Sequence, residues 1–112
     1  MREEIKDPIR IEHMLEAIDN VTLFMAGKDL SSLESDKMLY FAVVKNIEII
    51  GEAAYKLSRE FKELHGEVPW RQIEKMRHVL VHGYYSISAP LLYNVYTEDI
   101  PLLKQYLQNI AK

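Results

Sequence analysis

The stretch from residue 40 to residue 64, YFAVVKNIEIIGEAAYKLSREFKEL, has the clearest helical pattern in this chain. Its apolar residues recur at spacings of three and four, which is the pattern of one face of an amphipathic helix. Gly51 costs about 1 kcal/mol relative to alanine inside a helix, so we expect a neighbouring helix to pack closely there. We expect Ser58 to break or kink the helix. The apolar face comprises Tyr40, Val43, Val44, Ile47, Ile50, Gly51, Ala54, Leu57, Phe61 and Leu64.

The same spacing predicts a helix before this stretch. Asp7 and Pro8 are typical of an N-cap followed by proline at the first helical position, and Gly27 is a suitable end. Residues 28–32 are expected to form a linker, after which Ser35 or Asp36 caps the long helix. The face of the first helix carries Ile11, Met14, Leu15, Ile18, Val21 and Met25.

Further helices are predicted after Gly66 and Pro69, which close the long segment. One runs from Pro69 to about Val81, with Trp70, Ile73, Met76, Leu80 and Val81 apolar. Pro90 opens another with Leu91, Leu92, Val95 and Tyr96 inward, and Pro101 starts or kinks a last helical stretch. No segment alternates polar and apolar residues, so we expect no sheet. The prediction is an all-α, four- to five-helix up-and-down bundle in one domain, residues 1–112.

The composition of the chain excludes several functional classes. The chain has 112 residues, no cysteine and a net charge of −3, which excludes thiolate metal sites and a general nucleic-acid binder with a strongly basic surface. Its longest apolar run, residues 38–44, is far too short to span a membrane, and no signal peptide is evident, so we expect a cytoplasmic protein. Residues 1–36 carry four basic and nine acidic side chains, whereas residues 69–112 carry five basic and three acidic side chains. The second half is therefore the better place for an anionic ligand.

Groups able to do chemistry concentrate in residues 70–85, WRQIEKMRHVLVHGYY. His78 and His82 are four residues apart and could face one direction as metal ligands, but the sequence offers no third ligand. Purely structural roles are also open: Arg77 could pair with Glu74, His82 could cap a helix, and the tyrosines could pack. The chain has no glycine-rich phosphate loop, no GxSxG, no HExxH and no Glu-x-x-His.

A chemical interpretation of this stretch is RNA cleavage by attack of the 2′-hydroxyl on the adjacent phosphate. That reaction needs a base, an acid and a cation, and histidine and arginine supply these groups near neutral pH. Positions 77 and 82 lie about 140° apart around a helix, so one chain does not present both on one face. Two copies placed across a two-fold axis would relieve this problem.

At this point the sequence resembles the HEPN domains, and specifically their HepT-like toxin group. Arg77, His82 and Tyr84 match the R-x-x-x-x-H-x-Y motif of that group. Residues 46–54, NIEIIGEAA, are similar to its second-helix pattern, and residues 68–73 with 76–77 match the segment before the motif. Residues 7–11 and 99–103 also fit, so the resemblance covers essentially the whole chain.

The resemblance implies a dimeric all-α bundle in which two Arg/His motifs meet in an interface cleft. It implies a metal-independent endoribonuclease toxin without a cofactor, in which Arg77 polarises the scissile phosphate and His82 is the acid or base. The partner it implies is an MNT-type nucleotidyltransferase antitoxin, which adds AMP from ATP to the motif tyrosine, here Tyr84. AMP adds bulk and negative charge to an anion-binding cleft.

Several neighbouring residues have open roles. His78 stands where the group often has asparagine, and it could support Arg77, contact RNA or act as a second proton-transfer group. Tyr85 could stack on a base or pack in the core, and Arg71 and Lys75 are candidate RNA contacts. Glu48 and Glu52 could hold Arg77 or belong to a solvated face.

Two alternatives to the nuclease stay open. One is a non-catalytic HEPN partner or nucleotide-binding adaptor of an MNT-type nucleotidyltransferase, which the acidic balance mildly favours. The other is a structural helical bundle without an active site. The intact Arg77, His82 and Tyr84 favour the enzyme, because an adaptor has no need of all three.

Overall fold

The computed structural model describes residues 6–82 and 89–111, with side chains for residues 6–76 and 89–111. This part of the chain is helical and contains no strand, which confirms the all-α prediction. The elements are α1 (Asp7–Met25), α2 (Leu30–Ser35), α3 (Lys37–Lys56), α4 (Arg59–Leu64), α5 (Trp70–His82), α6 (Ala89–Asn94), a π-helical segment (Val95–Asp99) and α7 (Ile100–Ala111). None of the described helices is long and apolar enough to cross a lipid bilayer.

The long predicted helix is α3 followed by α4, and the predicted break at Ser58 is confirmed. Asp36 caps α3 by accepting a hydrogen bond from the Leu39 backbone N–H at 3.1 Å. The Ser58 hydroxyl caps α4 by accepting from the Phe61 N–H at 3.1 Å. The prediction that Leu64 lies on the buried face was wrong, because this side chain is 76% exposed. Because the break turns α4 relative to α3, the apolar spacing counted from α3 no longer identifies the buried face of α4.

Two details before α3 differ from the predictions. Asp7 is not the N-cap of α1, which is Lys6 without a side-chain hydrogen bond. The Asp7 carboxylate instead accepts from the Ser58 N–H at 2.9 Å and from the Ser58 hydroxyl at 2.7 Å, which ties the start of α1 to the break before α4. The short helix α2 begins within the predicted linker, because Asp29 and Ser32 form a reciprocal capping box.

α3 lies in the middle of the bundle, where it packs against α1 on one side and α5 on the other. α7 packs against α1 and contributes to the same core as α3 and α5. Gly51 is buried in α3, as expected for a point of close helix packing. One part of the core joins α1, α3, α5 and α7, and a second part joins the other end of α1 and α3 to α2 and α6.

The C-terminal helices form one continuous stretch with a π-helical turn. Asn94 and Ile100 on either side of the turn have α-helical backbone angles, and the Ile100 N–H donates to the Val95 carbonyl. Pro101 follows this turn directly and has no N–H, so it donates no hydrogen bond back into the continuous helix. The prediction that Leu91 points inward was wrong. Leu91 is 46% exposed, while Leu92, one position further round the helix, is buried.

Candidate functional site

The first turn of α5 fixes this helix against the bundle. Trp70 is buried, and its indole N–H donates to the His65 carbonyl oxygen at 3.0 Å. Ile73, one turn later, is also buried. The Pro69 carbonyl accepts from the Gln72 and Ile73 N–H groups, which closes the first helical bonds. α5, which carries the predicted catalytic positions, is therefore held rigidly at its start.

Two exposed basic residues and two histidine positions share one side of α5. Arg71 and Lys75 are exposed, and they are four residues apart. Seven and eleven residues after position 71 come His78 and His82, and a helix of 3.6 residues per turn brings all four positions to within about 60° of one another. We call these four positions the basic stripe. It places the candidate RNA contacts Arg71 and Lys75 on the same side of α5 as both histidine positions.

Position 77 falls on a different side of α5. It follows Ile73 by four residues and Trp70 by seven, so its backbone lies within about 40° of both buried residues around the helix. α5 continues as an α-helix through position 82, without a break between the two predicted catalytic positions. Positions 77 and 82 are therefore separated by the expected angle of about 140° within one chain.

The side chains of Arg77, His78 and His82 lie outside the described residues, as do Tyr84 and Tyr85 entirely. The roles given to them from the sequence stay predictions. Among the side chains that are described, no group of three metal-ligating residues comes together.

Glu74, the acidic residue of α5, has a partner on α4. Its carboxylate lies 3.4 Å from the Lys62 ammonium group, and both side chains are largely shielded from solvent. Lys62 also donates to the Tyr55 carbonyl oxygen at 3.3 Å. The ion pair offsets the negative charge of Glu74, so that this residue subtracts less from the positive charge of the basic stripe.

Glu48 and Glu52 lie on the side of α3 that meets α1. Glu52 is 3.2 Å from Lys56, and Glu48 is 3.9 Å from Lys45. Both carboxylates thus have lysine partners on their own helix, and a contact from either to Arg77 stays a prediction. A cavity of about 300 Å³ opens beside them, lined by Arg10, His13, Lys45, Glu48, Ile49, Glu52, Ala53 and Lys56.

A second cavity, of about 280 Å³, lies between α5 and α7, and sequence reasoning did not find it. It is lined by Pro69, Gln72, Ile73, Met76, Asp99, Leu102, Leu103 and Tyr106. Asp99 is the last residue of the π-helical segment, and π-helical turns are often found at functional sites. Burial raises the pKa of Asp99, and the neighbouring charge of Glu98 raises it further. The one signal in the sequence was an aspartate directly before an apolar helix.

The chain matches the family described as Ribonuclease HepT-like over residues 14–110. A Thermococcus cleftensis protein named as a probable ribonuclease HepT is 36% identical over 91% of this chain and 93% of its own length. A Caldanaerobacter subterraneus subsp. tengcongensis protein named as a putative RNase is 32% identical over 91% of each chain. The whole chain is 34% identical to half of a Methanocaldococcus jannaschii protein, which is named as a gamma-glutamylcyclotransferase and putative RNase. No solved structure matches the chain significantly.

Proposed function

Because the chain belongs to the HepT-like ribonuclease family, we propose that it is a metal-independent endoribonuclease that binds RNA along α5. The observation that carries this proposal is the basic stripe. Arg71 and Lys75 are exposed on the same side of the helix as positions 78 and 82. Cations in a row on one helix neutralise successive phosphates of an RNA strand, and they bring it to the histidine positions.

The proposed reaction is internal transfer of the phosphodiester. A base removes the 2′-hydroxyl proton, the 2′ oxygen forms a bond to phosphorus, and the bond from phosphorus to the 5′ oxygen breaks. An acid protonates the leaving 5′ oxygen, which gives a 2′,3′-cyclic phosphate and a 5′-hydroxyl. His82 is the acid or base, and Arg77 stabilises the negative charge on the phosphate oxygens. His78 supports Arg77 or contacts the RNA.

We place the working site between two copies of the chain. Within one chain, positions 77 and 82 point to different sides of an unbroken helix. A two-fold axis beside α5 brings position 77 of one copy towards position 82 of the other. Each site of the homodimer therefore combines the cation of one chain with the acid or base of the other.

We further propose that the protein is the toxin of a toxin–antitoxin pair. Its partner is an MNT-type nucleotidyltransferase, which transfers AMP from ATP to the Tyr84 hydroxyl and releases pyrophosphate. The added phosphate lies two residues after His82 in the sequence, so it repels the RNA backbone from the catalytic end of the basic stripe. Mass spectrometry of the protein co-expressed with this partner should show one or more added AMP masses. Tyr84→Phe should abolish them, and an addition that survives would move the site to Tyr85.

The activity is tested by cleavage of a labelled RNA in excess EDTA. The unmodified protein should cleave, and Arg77→Ala and His82→Ala should each lower the rate by about 10² or more. Two matched controls are Arg59→Ala and His13→Ala, which remove an exposed arginine and an exposed histidine from other helices. Equal rates in all four variants would remove the catalytic assignment. Failure of the parent protein to cleave any RNA would favour the nucleotidyltransferase adaptor instead.

A further inference from the structure

The cavity between α5 and α7 has the composition of a site for a flat, partly polar group. Ile73 and Leu103 form buried apolar walls, and Met76 and Leu102 extend them. Its volume of about 280 Å³ is at the lower limit of about 300 Å³ for ligand pockets, which suits a single ring system. Apolar walls with a few polar groups at one edge are typical of such sites.

The polar edge of the cavity is formed by Asp99, Gln72 and Tyr106. None of the described residues donates a hydrogen bond to the Asp99 carboxylate or forms an ion pair with it. An ionised carboxylate accepts hydrogen bonds only, and its two oxygens suit two N–H donors side by side. Gln72 adds an amide, which can donate and accept.

The cavity adjoins the basic stripe. Gln72 precedes Lys75 by three residues, so these two are neighbours on the surface of α5, whereas Ile73 and Met76 lie further round the helix. Met76 lies six residues before position 82, which is about 9 Å along the helix axis. A strand whose phosphates follow the stripe would therefore bring a base near the cavity, close to the bond that is cleaved.

We propose that this cavity binds a guanine base of the RNA substrate and that Asp99 selects it. This inference rests on the proposed function. Guanine has an N–H and an amino group next to each other on one edge, which match the two carboxylate oxygens. The other three RNA bases have no such pair of adjacent donors, because each places an acceptor beside its one donor group. Gln72 can donate to the guanine O6, and the apolar walls contact the faces of the ring.

An arginine side chain of a protein partner also offers two adjacent N–H donors. The surroundings of the cavity favour the base over the guanidinium group. Arg71 and Lys75 are exposed on the adjacent side of α5, next to Gln72, where they repel a cation while they attract the phosphates attached to a neutral base. Methylguanidinium carries the same donors as an arginine side chain, so its binding distinguishes the two ligands.

The first experiment compares the binding of guanosine and inosine, which differ only in the guanine amino group, by NMR titration of the whole protein. Guanosine should bind about tenfold more tightly than inosine, as expected for one hydrogen bond to a charged acceptor. Asp99→Asn should remove this preference. Glu98→Gln is the matched control, since Glu98 is the adjacent acid and does not line the cavity. Equal binding of the two nucleosides, or tighter binding of methylguanidinium than of guanosine, would overturn the proposal.

The second experiment measures cleavage of RNA oligonucleotides in which one guanosine at a time is replaced by inosine. One position near the cleaved bond should lose about tenfold in kcat/KM, and Asp99→Asn should make guanosine and inosine equivalent there. Cleavage that is insensitive to every replacement would refute the guanine site but leave the nuclease intact. A guanosine preference in binding without any cleavage would retain the site and refute the nuclease. A melting curve of Asp99→Asn confirms that the variant is folded.

Discussion

Mixing two inactive variants tests whether the catalytic site is shared between chains. Arg77→Ala removes the proposed phosphate-binding cation, and His82→Ala removes the proposed acid or base. Within one α5 the two positions are separated by about 140° along an unbroken helix. If each site takes Arg77 from one chain and His82 from the other, a hybrid of the two variants contains one complete pair. Each variant alone contains none.

The expected size of the effect follows from counting pairs. Random mixing gives one half hybrids, and each hybrid has one intact pair of two, so the mixture should recover about one quarter of the parent activity. Purified hybrids should recover about one half. Each single variant should remain at least about a hundredfold below the parent, so the recovery is large compared with the background.

The assay uses co-expressed chains with two different affinity tags, purification through both tags, and RNA cleavage in EDTA. The matched control is a hybrid of the parent chain with the double variant Arg77→Ala/His82→Ala. In a shared site this control hybrid is inactive, because the residues of each pair come from different chains. If the control is half active and the hybrid of single variants is inactive, the site lies within one chain. That result would refute a site shared between two chains.

Three further predictions concern the stability of the fold. Trp70→Phe should lower the free energy of unfolding by about 1 kcal/mol through loss of the hydrogen bond to His65, and Trp70→Ala by about 3–5 kcal/mol; urea titration measures both. Asp7→Ala should lower the free energy of unfolding by about 2 kcal/mol, because the Ser58 N–H and hydroxyl lose their charged acceptor. Asp7→Asn should lower it by less. The pKa of Asp99 is raised in the folded state, so ionisation of this carboxyl opposes folding. The free energy of unfolding should therefore fall as the pH rises above the ordinary aspartate pKa. Asp99→Asn should lack this fall in urea titrations between pH 3 and pH 7, and an identical pH profile in both proteins would contradict the prediction.

Most of the fold could be predicted because its helices are long and strongly periodic. α1, α3 and α5 are found from apolar spacing, Asp36 marks the start of α3, and Ser58 marks the break before α4. The spacing of apolar residues is a weaker predictor of short helices. α2 has six residues in a polar segment, and its stability depends on the capping box and on burial of Leu33. At Leu91 and Leu64 the sequence cannot decide the phase, since a shift of one residue turns a side chain by about 100°.

The candidate site also has one part that the sequence predicts and another that it does not. The motif in residues 77–84 is local in sequence, so its helix could be found without a structure. The cavity at Asp99 is not local, since Gln72 and Asp99 come together only because α5 and α7 lie side by side. Such contacts leave no periodic signal, and an aspartate at a helix junction is more commonly explained by capping.

The acidic net charge of the chain does not argue against RNA binding. The total of −3 arises mainly from residues 1–36, which carry four basic and nine acidic side chains. On α5 the one acid, Glu74, is paired with Lys62, whereas none of the described acids pairs with Arg71 or Lys75. An RNA strand meets the local field of the basic stripe within a Debye length of about 8 Å at physiological salt, so distant acids are largely screened. The logarithm of the RNA-binding constant should therefore fall linearly with the logarithm of the salt concentration, with a slope that corresponds to a few phosphates. Arg71→Ala and Lys75→Ala should each reduce the size of this slope by about 0.7. The same slope in the parent and in both variants would mean that the RNA lies elsewhere on the protein.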